Sequence, residues 1–284
     1  MMNFFSRKIT LAFLLALFVN LSKAQHGPER PELGFFGGGM YYLGDLNQLQ
    51  NFRNTYLTGS LFLRQNFNKR LNMRYMVSYG NVSGNDAHTE NAWERNRNLS
   101  FYSRIIETSA ILEINFLPFE PGNKKKYYAT PYLMYGLGLF KMNPMARSAN
   151  DEWYELQPLG TEGQGSELND RDKYKLTQFC IPLGIGFKGN LTEHLILGFE
   201  YTIRKTFTDY LDDVSGNYVD PDLLSKYNGP LAASFADRSL DNSSTYFTGS
   251  NRGNSNFKDW YATAGMYLAI KLGNKKECNM GFGR

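Results

Sequence analysis

The chain has 284 residues, with 31 Lys and Arg against 27 Asp and Glu, a net charge of +4, and 15% aromatic residues alongside 27 glycines. So small a net charge argues against a nucleic-acid binder, which presents a concentrated basic face. Two cysteines and three scattered histidines (His26, His88, His194) lack the CxxC or Cys/His spacing of a metal site.

At the N-terminus, Arg7 and Lys8 precede an apolar run from Ile9 to Val19 and then Ser22-Lys23-Ala24. That is the pattern of a secretory signal peptide, residues 1–24, cleaved after Ala24. The apolar run is about half of the roughly 20 residues that a spanning helix needs, and no later stretch reaches that length. No cysteine follows the cleavage site, so a lipid-modified N-terminus is not indicated. Loss of Arg7, Lys8 and Lys23 brings the mature chain, starting at Gln25, to a net charge of +1.

The segment ELGFFGGGMYYLGDL, from Glu32, sets five glycines among Phe35, Phe36, Tyr41 and Tyr42. It reads as a first strand, Leu33 to Leu43, whose small residues let neighbours pack across a tight wall. Tyr41 and Tyr42 are expected near the outer interface, although Phe36, Met40 and Tyr42 fall in the inner phase. A second noisy strand runs from Tyr56 to Asn66. From Leu71 the apolar set Leu71, Met73, Tyr75, Val77 and Tyr79 alternates with Asn72, Arg74, Ser78 and Gly80. From Ile106 the set Ile106, Ala110, Leu112 and Ile114 interleaves with Glu107, Ser109, Glu113 and Asn115. The same period of two recurs around Tyr127 to Leu139, Phe179 to Phe187, Leu195 to Arg204 and Trp260 to Leu272.

Eight strands of about ten residues follow from this pattern, joined by connections of alternating length. Short turns surround Asn68-Lys69-Arg70, Pro118 to Lys126, and Gly189 to His194. Longer loops cover Asp45 to Thr55, Val82 to Ser100, Lys141 to Lys173, and Thr208 to Asn256. Short turns on one side and long loops on the other mark an all-β, eight-stranded antiparallel transmembrane barrel, spanning residues 25–272 in the cell outer membrane in contact with lipid. A soluble lipocalin-like barrel is also eight-stranded, with its apolar face turned inward. The second face here holds glycine, serine and threonine with the sparse charges Arg64, Arg74, Glu107, Glu113, Glu200 and Arg204, which suits a narrow lumen. Three acids and three arginines could pair inside, filling it with side chains and leaving no diffusion pore. Residues 273–284 form a polar tail on the periplasmic side.

Several motifs carry alternative readings. Gly184-Ile185-Gly186-Phe187-Lys188-Gly189 matches the dinucleotide pattern GxGxxG, but a turn and another strand follow instead of the required helix. Asp209, Asp212 and Asp213 crowd one loop, where a cation site competes with a solvated or capping turn; their order is not that of an EF-hand. His88, near Ser83, Asp86 and Glu90 on an outer loop, is the one catalytic grouping worth weighing. Lys124, Lys125 and Lys126, with Lys69 and Arg70, lie in turns predicted to be periplasmic and could contact headgroups or acidic partners. Cys180 lies in an apolar strand and Cys278 in the polar tail, and two free thiols are favoured over a disulfide.

The leader, the eight strands, Tyr42-Leu43-Gly44-Asp45-Leu46 and Thr208-Asp209-Tyr210-Leu211-Asp212-Asp213-Val214-Ser215 together resemble the PorG-like (DUF6089) outer-membrane proteins of the Bacteroidota type IX secretion system. The resemblance implies a non-enzymatic barrel that ties the periplasmic ring of that system, a lipoprotein and its partner, to the membrane. It implies no catalytic residues and no cofactor. An outer-membrane enzyme acting on lipid or peptide at the outer rim, and a passive adhesin or receptor, are the alternatives.

Overall fold

A computed structural model describes residues 30–47, 52, 54–240 and 248–273. The predicted signal peptide, Cys278 and nearly all of the tail lie outside those residues. Ten strands form one sheet: β1 (Glu32–Leu43), β2 (Tyr56–Asn66), β3 (Leu71–Asn85), β4 (Ser100–Asn115), β5 (Ala129–Lys141), β6 (Pro144–Arg147), β7 (Trp153–Glu155), β8 (Thr177–Asn190), β9 (Leu195–Thr206) and β10 (Trp260–Lys271). Eight of them close into an antiparallel barrel by β1–β10 pairing, from Glu32 opposite Lys271 to Leu43 opposite Trp260. Closure pairs the sheet edges, as lipid requires.

The period of two sorts the side chains. Leu33, Phe35, Leu61, Val77, Ile114, Leu133, Leu137, Ile185, Phe199, Leu268 and Ile270 stand exposed on the outer wall, while Arg64, Arg74, Glu107, Glu113, Thr130 and Lys188 are fully enclosed. An apolar exterior around a charged, filled interior inverts the soluble barrel and defines a membrane wall. Tyr56, Tyr79, Tyr201 and Phe207 ring its upper end, and Phe67, Phe116 and Tyr128 its lower end. No helix among the described residues is long and apolar enough to span a bilayer; the strands cross it. The barrel lies in the outer membrane, with both ends of the described chain and the short connections 67–70, 116–128 and 191–194 on one side.

In the opening glycine stretch, Gly34 makes room for the Phe62 ring, which a Cβ there would approach to 2.2 Å, and Gly38 lets its strand press against the Ala264 carbonyl. Phe36, Met40 and Tyr42 all point inward and are buried. Tyr42 therefore does not reach the outer interface, whereas Tyr41 turns outward to share a 2.7 Å hydrogen bond with the hydroxyl of Tyr201.

The long connections differ from simple loops. β3 and β4 run past the wall to Asn85 and from Ser100, and β6 and β7 form a hairpin continuing β4, where the sequence read only loops. Three short helices, α1 (Ala92–Arg97), α2 (Pro221–Asn228) and α3 (Pro230–Ala236), complete an extracellular cap. Its core, with Leu46, Val82, Leu99, Phe101, Met142, Leu211, Val214 and Phe235, runs without a break into the upper lumen at Met40, Phe140, Cys180 and Tyr261.

Candidate functional site: a sealed lumen under an acidic cap

The lumen charges are placed by alternation on neighbouring strands. Arg64 on β2 and Arg74 on β3 are cross-strand partners, and Glu113 on β4 reaches both, with Nε atoms at 3.0 and 2.5 Å. Arg64 also pairs with Glu32 and donates to the Tyr267 hydroxyl at 2.9 Å. Arg74 bonds both Glu200 oxygens at 2.8 and 2.9 Å, and Tyr132 donates to Glu200 at 2.7 Å. Lys188 lies 2.9 Å from Glu113. The cluster is neutral, with Glu32, Glu113 and Glu200 against Arg64, Arg74 and Lys188, so each buried charge has an opposite partner. The Phe62 and Tyr267 rings flank both guanidinium groups.

Higher up, Glu107 accepts from Arg204 Nε and from the Tyr261 hydroxyl, each at 3.0 Å, and Cys180 is a buried free thiol 3.7 Å from the same hydroxyl. Toward the periplasm, Phe119 from the 116–128 connection folds in and is buried, 5.3 Å from Lys188. The lumen is thus closed by ion pairs in the middle, an aromatic plug below and the cap above.

The structure places all six residues read from the sequence, Arg64, Arg74, Glu107, Glu113, Glu200 and Arg204, inside the barrel, but as two groups rather than one network. Glu32 and Lys188 complete the larger group. Both were findable, since each falls in the inward phase of its strand. Gly184, Gly186 and Gly189 of the GxGxxG match lie on β8, with no helix after them.

The acids after Thr208 are buried, not solvated. Asp213 accepts from Thr161 and from the Tyr174 hydroxyl, each at 2.6 Å, and lies 4.0 Å from Arg252. Arg252 bonds Glu162 at 3.1 Å, and Glu162 in turn accepts the backbone N–H groups of Ser215 and Gly216. Asp212 and Asp259 flank the Tyr42 hydroxyl at 2.6 and 2.7 Å, while their other oxygens accept from Val214 N and Leu211 N. One hydroxyl carries one hydrogen, so one of the two carboxyl groups supplies its own proton to complete the bridge. Burial first, then mutual repulsion, pushes Asp212 well above the usual carboxylate range; burial does the same for Asp259. Tyr42 and Asp212 belong to the two segments that carry the family resemblance, and they meet here.

Among the described residues no group of three or more His, Cys, Asp or Glu side chains could hold a metal ion. On the outer loop, Asp86 is buried and bonded to both Nε and Nη2 of Arg97 at 2.8 Å, Ser83 is buried, and His88 and Glu90 are exposed at the surface of a short turn. Asp86 is thus held by Arg97 and by the backbone N–H of Leu99.

Burial raises Asp209 to about 7 and Asp213 to about 6. A carboxyl raised in the folded state binds protons more tightly there than in the unfolded chain. Its contribution is therefore full below about pH 4 and is lost as pH rises through about 6 to 7. The cap is expected to exchange its amide hydrogens more slowly at about pH 5 than at about pH 8, after correction for intrinsic exchange. Asp209→Asn is expected to flatten the difference. Protection that rises with pH would contradict the assignment.

Solved structures with similar folds include the attachment invasion locus protein Ail of Yersinia pestis, at 8% identity, covering 86% of this chain and 100% of that one with a TM-score of 0.41. Neisserial surface protein A matches at 11% identity, 87% and 100% coverage and a TM-score of 0.40. OprG of Pseudomonas aeruginosa matches at 9%, 87% and 99%, with 0.36. No curated protein matched the sequence. A family model described as "Domain of unknown function (DUF6089)" matches residues 7–228, which take in every strand but β10, and the chain belongs to that family.

Proposed function

We propose that this outer-membrane barrel is a non-enzymatic anchor or scaffold for the periplasmic ring of a type IX secretion system. The observation that carries the reading is the closed lumen: with the interior filled by paired charges, the barrel's work lies at its faces rather than along its axis. The PorG-like resemblance, centred on the segments that meet at Tyr42 and Asp212, supplies the partner class, a ring-forming lipoprotein and its partner. The periplasmic face offers Lys124, Lys125 and Lys126, all exposed, beside a surface cluster where Lys69 and Lys126 both lie over the Tyr127 ring at 4.5 and 5.0 Å. A basic rim of this kind steers and orients an acidic partner.

Replacing Lys124, Lys125 and Lys126 by Glu together tests the contact. Co-purification of ring components from detergent-solubilised outer membrane is expected to fall by about tenfold or more, with the barrel's own assembly unchanged. Undiminished recovery of every ring component would remove these turns from the interface.

A further inference from the structure

On the opposite, extracellular face, the β6–β7 turn and the C-terminal end of α3 enclose a cleft of about 430 Å³, in the size range of small-ligand sites. Arg147, Ser148 and Asn150 form one wall, and Ser234, Arg238 and Ser239 the other. Tyr154 and Phe235 lie between them, their rings 5.7 Å apart and inclined at 55°.

Arg238 differs from the other buried or half-buried arginines of the cap. Arg97 is bound by Asp86, Arg252 by Glu162, and Arg147 by Asp151 at its own turn. Arg238 faces no acid among the described residues. Its guanidinium has one long bond, 3.4 Å to Ser100 Oγ, and lies 5.8 Å from the Phe235 ring. Burial alone weakens its hold on its proton, which is the mark of a desolvated cation with no counter-charge. The adjoining backbone is fixed, because Asn98 donates to the Arg238 carbonyl at 3.0 Å. The Tyr154 hydroxyl donates to Glu152 at 2.7 Å, which holds the ring in place.

A positioned guanidinium recognises phosphate or sulfate in a bidentate manner. Serine hydroxyls and the Asn150 amide supply both donors and acceptors, which suits the adjacent hydroxyls of a sugar. An aromatic ring offers a face on which an apolar sugar face can pack. We propose that this cleft is a binding site for a saccharide bearing a phosphate or sulfate group, with the oxyanion on Arg238 and the sugar ring against Tyr154. Such a group occurs both on free glycans and on the sugar headgroups of the outer leaflet.

The test uses the full mature chain in detergent micelles, titrated with glucose 6-phosphate, glucose 6-sulfate and glucose, and separately in nanodiscs with and without phosphorylated lipid A. Binding is read by calorimetry. The charged sugars are expected to bind at least about tenfold more tightly than glucose, with the advantage lost in Arg238→Gln. Ser234→Trp, an exposed position that fills the cleft mouth without disturbing the core, is expected to abolish binding and guards against a folding defect in the first variant. Binding of the free sugars assigns the site to soluble glycans, and binding only to lipid A assigns it to the leaflet. The proposal is overturned if no charged saccharide binds, if glucose binds equally well, or if both variants bind like the parent chain.

Discussion

Glu113→Ala is expected to cost the barrel about 3–5 kcal/mol, a large fraction of the stability of an ordinary domain. Glu113 is the one acid that touches all three cations of the larger lumen cluster, Arg64, Arg74 and Lys188, and it is completely buried. Its removal leaves two buried guanidinium groups and a buried ammonium with only Glu32 and Glu200. Glu113→Gln keeps the shape and loses the charge, so it separates electrostatics from packing. Guanidinium unfolding in micelles, followed by the difference in gel mobility between folded and boiled barrel, measures the effect. Pairing Glu113→Gln with Lys188→Met is expected to recover part of the loss, because Lys188 pairs with Glu113 whereas Arg64 keeps Glu32 and Arg74 keeps Glu200. A single variant as stable as the parent would mean that the cluster does not hold the lumen together.

Arg252→Ala is expected to undo the cap while sparing the barrel. Arg252 is buried, pairs with Glu162, donates to the Asp213 carbonyl at 2.6 Å and to the Ala236 carbonyl at 3.0 Å, and so joins the chain after α3 to the acidic segment following β9. Its loss removes the buried cation beside Glu162, which keeps only Arg171 at 3.7 Å and the Ser215 and Gly216 N–H groups, and leaves two backbone carbonyls without this donor, again at about 3–5 kcal/mol. The wall strands make none of these bonds. Protease cleavage within residues 207–259 on intact cells is therefore expected to rise by more than about tenfold, with normal gel mobility of the barrel fragment. Loss of the folded barrel itself would show that cap and wall form one cooperative unit.

These two residues also show what could be read from the chain. Glu113 lies in a clean alternation from Ile106 to Ile114, and a membrane wall pins that alternation because a one-residue slip would put charge into lipid. Its role in the lumen was therefore legible, as were the strand number and the side on which the long connections lie. Glu32 and Lys188 shared the signal but stood at strand ends, beside segments noisy with aromatic residues on both faces. Phe36, Phe62, Met76 and Tyr132 are apolar and inward, packing around the buried guanidinium groups, so hydrophobicity alone no longer marks the outer wall.

Arg252 was not legible. It sits 90 residues from Glu162 and 39 from Asp213, outside any periodic segment, and its burial depends on three connections folding together. For the same reason the aspartates after Thr208 read as a solvated or capping turn or a cation site, whereas hydrogen bonds from Tyr42, Thr161 and Tyr174 draw Asp212 and Asp213 inside. The β6–β7 hairpin is built from strands of four and three residues, too short to establish a period.

The central claim is that the barrel is sealed and acts through its faces. Planar-bilayer recording of the purified mature chain tests it most directly. The closed lumen predicts no discrete conductance steps in symmetric salt across the physiological voltage range. Regular steps from the unaltered protein would establish an open path through the lumen and contradict the account.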